Sequence, residues 1–257
     1  MNKVPVKVVI PVYKKELSAL EMLSLNQAYT VLKHFPLVIV KPESLDLSCF
    51  SVNYPNMLFE SFADCYFESI QGYNRLMLSS AFYGRFLDSE FILIYQLDAF
   101  VFRDELAFWC SKGYDYIGAP WLKKPIYHLP VISTINAMIA VYYRLRQKKS
   151  KHALYNKVGN GGFSLRKTAS FYNATQTYHA KITDFFQQKQ SHLFNEDVFW
   201  ATEIPDFSYP SVSEALRFSF DKYPHYCFRL TNSQLPFGCH GWNKRKMRRF
   251  WKPVIGY

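Results

Sequence analysis

The pattern at the start of the chain constrains the fold more than any other feature of the sequence. Residues 6–12 (VKVVIPV) are apolar and β-branched, which is typical of a buried parallel strand. Residues 18–34 then change to helical periodicity, and residues 37–40 (LVIV) form a second short apolar run. This β-α-β order predicts a parallel sheet with right-handed crossovers. Neither GxGxxG nor GxxxxGK follows the first predicted strand, so the dinucleotide-binding and P-loop classes lose their main support.

Later segments predict that the same architecture continues. Residues 72–86 predict one helix, and residues 91–102 (FILIYQLDAFVF) predict a long apolar strand interrupted by Asp98. Residues 113–121 predict a strand followed by a turn. No internal repeat, Pro- or Ser-rich linker or low-complexity tract divides the sequence. We therefore expect a single α/β domain over residues 1–257, with a central, mostly parallel sheet flanked by helices.

Charge and cysteine content indicate which ligands and which cell compartment to expect. Lys and Arg exceed Asp and Glu by 31 − 20 = 11, which attracts phosphates in nucleotides, nucleic acids or anionic lipids. The five cysteines show no CxxC pair and no zinc-ligand spacing, so we expect reduced thiols. The start of the chain lacks the pattern of a signal peptide, and no run of about 18 apolar residues is present. These features predict a cytoplasmic protein, with peripheral attachment to the inner face of the cell membrane as an open alternative.

Two segments are candidates for such attachment. Residues 129–143 (LPVISTINAMIAVYY) are apolar and run into a basic flank, so residues 129–150 predict either a helix at a membrane surface or a core helix with a solvated basic end. Residues 243–252 (NKRKMRRFWK) form a dense basic tail. Its mixture of charge and aromatic rings also supports a rival class, a nucleic-acid-binding protein, although no nucleic-acid-binding motif is present and we expect no such partner.

Asp98 is the first candidate for chemistry. A carboxylate inside an apolar strand costs several kcal/mol unless it is paired or lies at the open carboxyl end of the strand. In α/β sheets that end is where ligands bind. Gln96 is a second polar residue near the same end of the predicted strand. The alternative is an aspartate that only caps the following turn.

Three further motifs contain reactive or flexible residue types. Glycines around Asn160 allow the backbone to approach a ligand closely. Glu196 and Asp197 lie among aromatic residues, which raise a carboxylate pKa toward the range of a general base, although acids also favour a helix N-terminus. His240, in a glycine-flanked loop, could ligate a metal or hold a phosphate, although a single histidine is more often structural.

Taken in order, these segments resemble the GT-A glycosyltransferases. The resemblance rests on VVIPVY, on the stretch from YNRL to FILIYQLDAFVF, on VGNGGFSLR, on NEDVFW and on HGW. More narrowly, the order QLDAF, GAPW, GNGGFSLR, NEDVFW and PFGCHGW resembles a bacterial family of GT-A-related domains, formerly of unknown function, from surface-polysaccharide genes. The match covers residues 8–242.

The resemblance implies a hexosyltransferase-type enzyme that moves a sugar from a nucleotide-sugar donor, foremost a UDP-sugar, to a polysaccharide or lipid-linked glycan in lipopolysaccharide or capsule biosynthesis. It implies Asp197 as the general base of an inverting displacement, with Glu196 as second choice. The implied donor-binding residues are Pro11, Val12, Tyr13, Tyr73, Asn74, Arg75, Gln96 and Asp98. The implied acceptor-binding residues are Asn160, Gly161, Gly162, Trp121, Trp200 and Trp242.

One departure from the family pattern concerns the metal. The GT-A motif Asp-x-Asp reads Asp98-Ala99-Phe100 in this sequence, and phenylalanine cannot ligate a cation. A site for Mn²⁺ or Mg²⁺ would therefore rest on Asp98 and His240. Without metal, the leaving group would need Lys, Arg, His or backbone N–H donors. The departure also leaves open a catalytically inactive sugar-binding protein.

Overall fold

The strands of the fold form two β-sheets. The computed structural model describes residues 4–123, 125–146, 150–187 and 192–257. The strands in the described residues are β1 (Val4–Pro11), β2 (Leu37–Pro42), β3 (Met57–Phe62), β4 (Ser89–Tyr95), β5 (Ala99–Val101), β6 (Tyr116–Gly118), β7 (Phe163–Lys167), β8 (Ser219–Phe220) and β9 (Gly238–His240).

The larger sheet has the order β3-β2-β1-β4-β7-β6. Strands β1 to β4 are mutually parallel, with Val8 of β1 beside Leu37 of β2 and Leu93 of β4. Strand β7 is antiparallel to both β4 and β6. The predicted α/β fold with a mostly parallel central sheet is confirmed.

Helices cover the sheet. The α-helices in the described residues are α1 (Ala19–Val31), α2 (Ser48–Asn53), α3 (Ile70–Met77), α4 (Ser80–Gly84), α5 (Leu106–Ser111), α6 (Pro130–Leu145), α7 (Thr168–Thr177), α8 (His179–Gln187), α9 (Glu196–Glu203), α10 (Val212–Phe218), α11 (Pro224–Leu230) and α12 (Arg248–Ile255). Short 3₁₀ helices span Asp64–Tyr66, Pro125–His128, Lys151–Leu154 and His192–Phe194. Helix α1 begins with a capping box between Ser18 and Glu21, which satisfies the first free backbone N–H groups.

Side chains point alternately to the two faces of the sheet along each strand. Both faces are buried. Val8 and Leu93 point into one cluster, which α1 and α5 cover with Leu25 and Trp109. Ile92 and the other alternate residues point into a second cluster, which α3, α4, α7 and α9 cover. Burial on both faces explains why these strands are continuously apolar in the sequence.

Two predicted elements are each divided in the structure. The helix predicted over residues 72–86 ends at Met77, and the side chain of Ser79 accepts a hydrogen bond from the Phe82 N–H to begin α4. The strand predicted over residues 91–102 ends at Tyr95, and the chain turns at Gln96 into β5 of the second sheet. Local hydroxyl capping and a tight turn override the continuous apolar pattern in both places.

The second sheet has the order β5-β9-β8. Its apolar side chains pack with the C-terminal helix α12 in a third cluster, in which Trp251 is fully buried and Phe250 nearly so. The basic segment 243–252 is therefore not a free tail, which corrects the prediction. Its aromatic rings are unavailable for stacking on bases. Among the described residues, no helix is both long and apolar enough to cross a membrane.

Candidate active site

A cavity of ≈ 680 Å³ opens at the carboxyl ends of β1 and β4. This is the edge at which α/β sheets bind ligands, and the volume lies within the ordinary range for a small-molecule site. Most of the residues predicted for the site line this cavity: Pro11, Val12, Tyr13, Tyr73, Asn74, Gln96, Asp98, Asn160, Gly161, Gly162, Glu196, Asp197 and His240. Segments far apart in the sequence thus meet in one place.

Asp98 and His240 meet because the two sheets join beside the cavity. Strand β5 pairs with β9 so that Ala99 lies opposite His240, and the Gly241 N–H donates to the Asp98 carbonyl at 2.8 Å. The Nε2 atom of His240 lies 3.0 Å from Oδ1 of Asp98. Its Nδ1 atom lies 3.2 Å from Oδ1 of Asp221, which follows β8. One imidazole therefore lies between two carboxylates.

The charges in this cluster reinforce one another. Burial disfavours the charge on His240, but Asp98 and Asp221 outweigh it and raise the His240 pKa to about 9. Burial likewise opposes ionisation of Asp98, yet His240 and Lys244 hold the pKa of that carboxyl well below its usual range. The Lys244 Nζ lies 3.5 Å from Oδ2 of Asp98. The cavity thus offers two cationic side chains beside one carboxylate.

The donor set partly fits a divalent cation. A metal-bound histidine usually donates its other ring N–H to a carboxylate, and Asp221 is placed for that on Nδ1 of His240. Asp98 and His240 would then be the two protein ligands. Among the described residues no group of three His, Cys, Asp or Glu could hold a metal ion. Phe100, at the third position of the family motif, lies in the third apolar cluster instead.

Two glycines form the wall between this cluster and the acids of α9. A Cβ atom on Gly162 would lie 2.2 Å from Nε2 of His240, and one on Gly161 would lie 2.0 Å from Oε1 of Glu196. Real Cβ atoms do not make such contacts. Glycine is required here because backbone must lie directly against the functional side chains.

Asp197 lies across the glycine wall, in the first turn of α9. Its Oδ1 accepts a hydrogen bond from the Val198 N–H at 2.8 Å, and its Oδ2 lies 3.4 Å from the Gly161 N–H that donates to it. Burial raises the Asp197 pKa, and these two backbone donors partly oppose the rise. A carboxylate with a raised pKa at a cavity wall can accept a proton from a bound hydroxyl.

Glu196 is held more firmly than its neighbour. Its Oε1 accepts a hydrogen bond at 2.9 Å from Arg166, which is fully buried in β7 and also donates to Tyr83 Oη at 2.8 Å. Burial raises the Glu196 pKa to about 7, against the opposing charge of Arg166. Arg166 therefore neutralises a buried acid, and Glu196 positions the start of α9.

Two buried polar atoms of cavity residues form no hydrogen bond within the described chain: Tyr73 Oη and Glu196 Oε2. Nε2 of His240 is instead paired with Asp98, 3.0 Å from its Oδ1. Buried polar atoms are normally paired, because an unpaired one costs about 1–3 kcal/mol. Their collection in one cavity indicates a site built for a polar ligand.

Four predicted site residues do not line the cavity. Trp200 and Trp242 are fully buried, where their indole N–H groups donate to the carbonyls of Met77 and Ala99, so they cannot stack on a sugar. Trp121 packs its ring against Gly159 outside the cavity. Arg75, on the outer side of α3, places its guanidinium over the Phe186 ring at 5.9 Å. The corrections at Trp200 and Trp242 share one cause, because a tryptophan near a motif more often packs in the core than on a ligand.

The sequence interpretation missed three charged residues of the site. Asp221 directly follows the short apolar run FSF, which contains β8. Asp98 likewise follows an apolar strand, so the same pattern could have identified Asp221. Lys14 follows β1 and lines the cavity. Lys244 is one of several cations in the basic run at residues 243–252, and no sequence pattern distinguishes it from the others. In the structure it lines the cavity.

The sheet order and the position of the cavity define the fold of the GT-A glycosyltransferases, and solved structures of that class share it. The galactosyltransferase LgtC, solved with donor and acceptor sugar analogs, has a TM-score of 0.61 at 12% identity over 97% of this chain and 94% of its own. Mouse xyloside xylosyltransferase 1 has a TM-score of 0.56 at 10% identity over 93% and 98%. The mannosyltransferase Ktr4p from S. cerevisiae, solved with GDP, has a TM-score of 0.50 at 10% identity over 83% and 68%.

The chain belongs to the family described as protein of unknown function (DUF5672), whose pattern matches residues 56–240. That span contains Asp98, the glycine wall, Asp197 and His240. Comparison with curated protein sequences finds no match.

Proposed function

We propose that the chain is a glycosyltransferase that moves a sugar from a nucleotide-sugar donor, foremost a UDP-sugar, to a hydroxyl of a polysaccharide or lipid-linked glycan. The observation that carries the proposal is the cavity itself. It places a carboxylate with a raised pKa opposite an Asp98–His240–Lys244 cluster at the ligand-binding edge of a GT-A sheet. LgtC and Ktr4p, which share the fold, were solved with sugar analogs and with GDP respectively.

The donor would lie along the carboxyl end of β1. Pro11, Val12 and Tyr13 line that side of the cavity, and Tyr13 is 60% exposed, so its ring is free to cover a nucleoside. The donor diphosphate would then lie near His240 and Lys244, whose charges stabilise the leaving group as it departs. Lys14 also lines the cavity, where Glu21 pairs with it at 2.8 Å.

The acceptor would enter over the glycine wall, beside Asn160. Its hydroxyl oxygen attacks the anomeric carbon of the donor while Asp197 takes the hydroxyl proton. The bond between that carbon and the diphosphate oxygen breaks, and the nucleoside diphosphate leaves with the electron pair. A single displacement of this kind inverts the anomeric configuration, through an oxocarbenium-like transition state.

A divalent cation, when bound, would supply charge at the diphosphate in place of the charge on His240, which ligates a metal only as the neutral imidazole. Asp98 and His240 would hold it, with Asp221 fixing the imidazole from behind. With only two protein ligands, such a site would depend on oxygens of the donor. We therefore expect any Mn²⁺ or Mg²⁺ effect to appear together with the nucleotide rather than with the free protein.

A thermal-shift assay with UDP-, GDP-, CMP- and dTDP-sugars, each with and without Mn²⁺, tests donor binding. The proposal predicts a rise in melting temperature with one nucleotide class. Absence of a shift with every donor in both conditions would contradict it. A second candidate is an inactive sugar-binding protein, because Phe100 replaces the second aspartate of the Asp-x-Asp motif. Such a protein would show the donor shift but no release of nucleoside diphosphate with any acceptor.

A further inference from the structure

Helix α6 carries a continuous apolar stripe that faces solvent. Its members recur at steps of three and four residues, which places them on one side of the helix. The exposed fractions of this stripe are 72% for Val131, 52% for Ile135, 68% for Met138, 54% for Tyr142 and 78% for Leu145. A folded chain rarely leaves so regular an apolar face in water without a use for it.

The stripe is not a core face left uncovered. A different side of α6 rests on the protein, and its half-buried residues are Ile132, Asn136, Ala140 and Tyr143. The ring of Tyr143 lies 6.3 Å from that of His152, which stacks on Tyr155 at 5.4 Å. That side of the helix is therefore covered by neighbouring residues, and the exposed stripe lies on another side.

The charge around α6 has a single sign. Residues 122–157 contain no Asp or Glu, and their basic residues are Lys123, Lys124, Arg144, Arg146, Lys148, Lys149, Lys151 and Lys157. Arg146, just past the helix, lies with its guanidinium 5.7 Å from the Tyr142 ring, at the end of the apolar stripe. An apolar face on a segment that carries cations and no acidic residues is complementary to an anionic lipid surface.

The same charge argues against a second copy of the chain as the occupant. Two such segments would bring like charges together, which opposes association. The 16 residues of α6 span about 24 Å, too short to cross a bilayer but suited to lying in its interface. The lipid surface is thus the occupant that both the shape and the charge favour.

The segment that carries α6 leaves and rejoins the fold next to the cavity. The Trp121 N–H donates to the Lys157 carbonyl at 3.0 Å, and the Asn156 N–H donates to the Trp121 carbonyl at 2.9 Å. The chain then continues directly into the glycine wall at Asn160. A surface that holds α6 is therefore near the side of the cavity that we assign to the acceptor.

We propose that α6 is a membrane-interface helix that docks the protein on an anionic lipid bilayer through Val131, Ile135, Met138, Tyr142 and Leu145. This goes beyond the proposed function and stands without it, because lipid binding requires no donor and no turnover. Apolar burial would hold the helix in the interface, and the basic flank would select anionic lipid.

Vesicle co-sedimentation of the full chain, without donor, tests the proposal. Vesicles of phosphatidylcholine alone are compared with vesicles that also contain phosphatidylglycerol, at low and high salt. The wild type should bind the anionic vesicles, and salt should weaken the binding. Replacing Ile135→Ser together with Met138→Ser should lower partitioning about tenfold, equal to about 1.4 kcal/mol.

Replacing Val52→Ser together with Leu230→Ser provides the matched control, because both residues are exposed and apolar but belong to other helices, α2 and α11. The control should partition like the wild type, and all variants should keep the wild-type circular dichroism. Absence of wild-type binding to anionic vesicles would overturn the proposal, as would an equal loss in the control. So would a dimer in vesicle-free solution that the α6 variant dissociates, since that would assign the stripe to a second copy.

Discussion

The stability of the protein should depend on pH through the buried pair of Arg166 and Glu196. Replacing Arg166 should change that dependence. Arg166 is fully buried, and Arg166→Met removes the positive partner of Glu196 while roughly preserving the volume of the side chain. Removing one member of a buried ion pair is destabilising, because the other charge is left without compensation unless it takes up a proton.

The sign of the pH dependence follows from the Glu196 pKa. Burial raises that pKa from 4.5 to about 7, so the folded state binds the proton more tightly than the unfolded chain does. The resulting stability is fully present below pH 4.5 and is lost as the pH rises through 7. In Arg166→Met the pKa rises further, so the added loss should be near zero at about pH 5 and grow to about 1.4 kcal/mol at about pH 8, one unit above the wild-type pKa of about 7.

Urea unfolding at several pH values, followed by fluorescence, measures this loss. Arg103→Met is the matched control, since Arg103 pairs with Glu105 at the surface and such pairs contribute about 0–1 kcal/mol. Replacing Arg166→Met together with Glu196→Leu should recover much of the stability. A loss that is independent of pH, or no larger than that of the control, would refute the assignment of Arg166 as the partner of a buried acid.

Three further substitutions test the site and the core. Gly162→Ala should abolish transfer while leaving the fold largely intact, because its Cβ would displace His240; wild-type turnover would contradict the glycine wall. Asp98→Ala should weaken donor binding at least about tenfold by calorimetry, since Asp98 holds His240 and Lys244 in place and favours the charged form of His240; unchanged affinity would exclude its role. Trp200→Ala should destabilise the protein by about 3–5 kcal/mol in urea, since its ring fills the core; a selective loss of acceptor affinity would instead restore its predicted role in binding.

Much of the architecture follows from simple sequence physics. The opening β-α-β pattern predicts the parallel sheet, because strands buried on both faces must be continuously apolar. Asp98 stood out because an acid interrupts such a strand, and it lies at the carboxyl edge of the sheet. The glycines at 161 and 162 stood out for a related reason, because backbone must approach a ligand there.

Other features depend on contacts that a linear pattern does not contain. Asp221 and Arg166 gain their roles only when β8 and β7 bring them to His240 and Glu196. Trp200 and Trp242 are predicted to bind sugar, but Trp200 is buried in the second apolar cluster and Trp242 in the third, which depends on tertiary packing. The basic run at the C-terminus predicted a tail, whereas its aromatic residues anchor α12 in the core.

The most direct test of the central claim is turnover by the wild type and by Asp197→Asn with the donor that the thermal shift identifies. Release of nucleoside diphosphate and the anomeric configuration of the product, followed by NMR, are the quantities to measure. The account predicts an inverted product, loss of turnover by at least about a hundredfold in Asp197→Asn, and nearly unchanged donor affinity, because the carboxylate acts on the acceptor proton. A retained configuration, or full activity in Asp197→Asn, would contradict it.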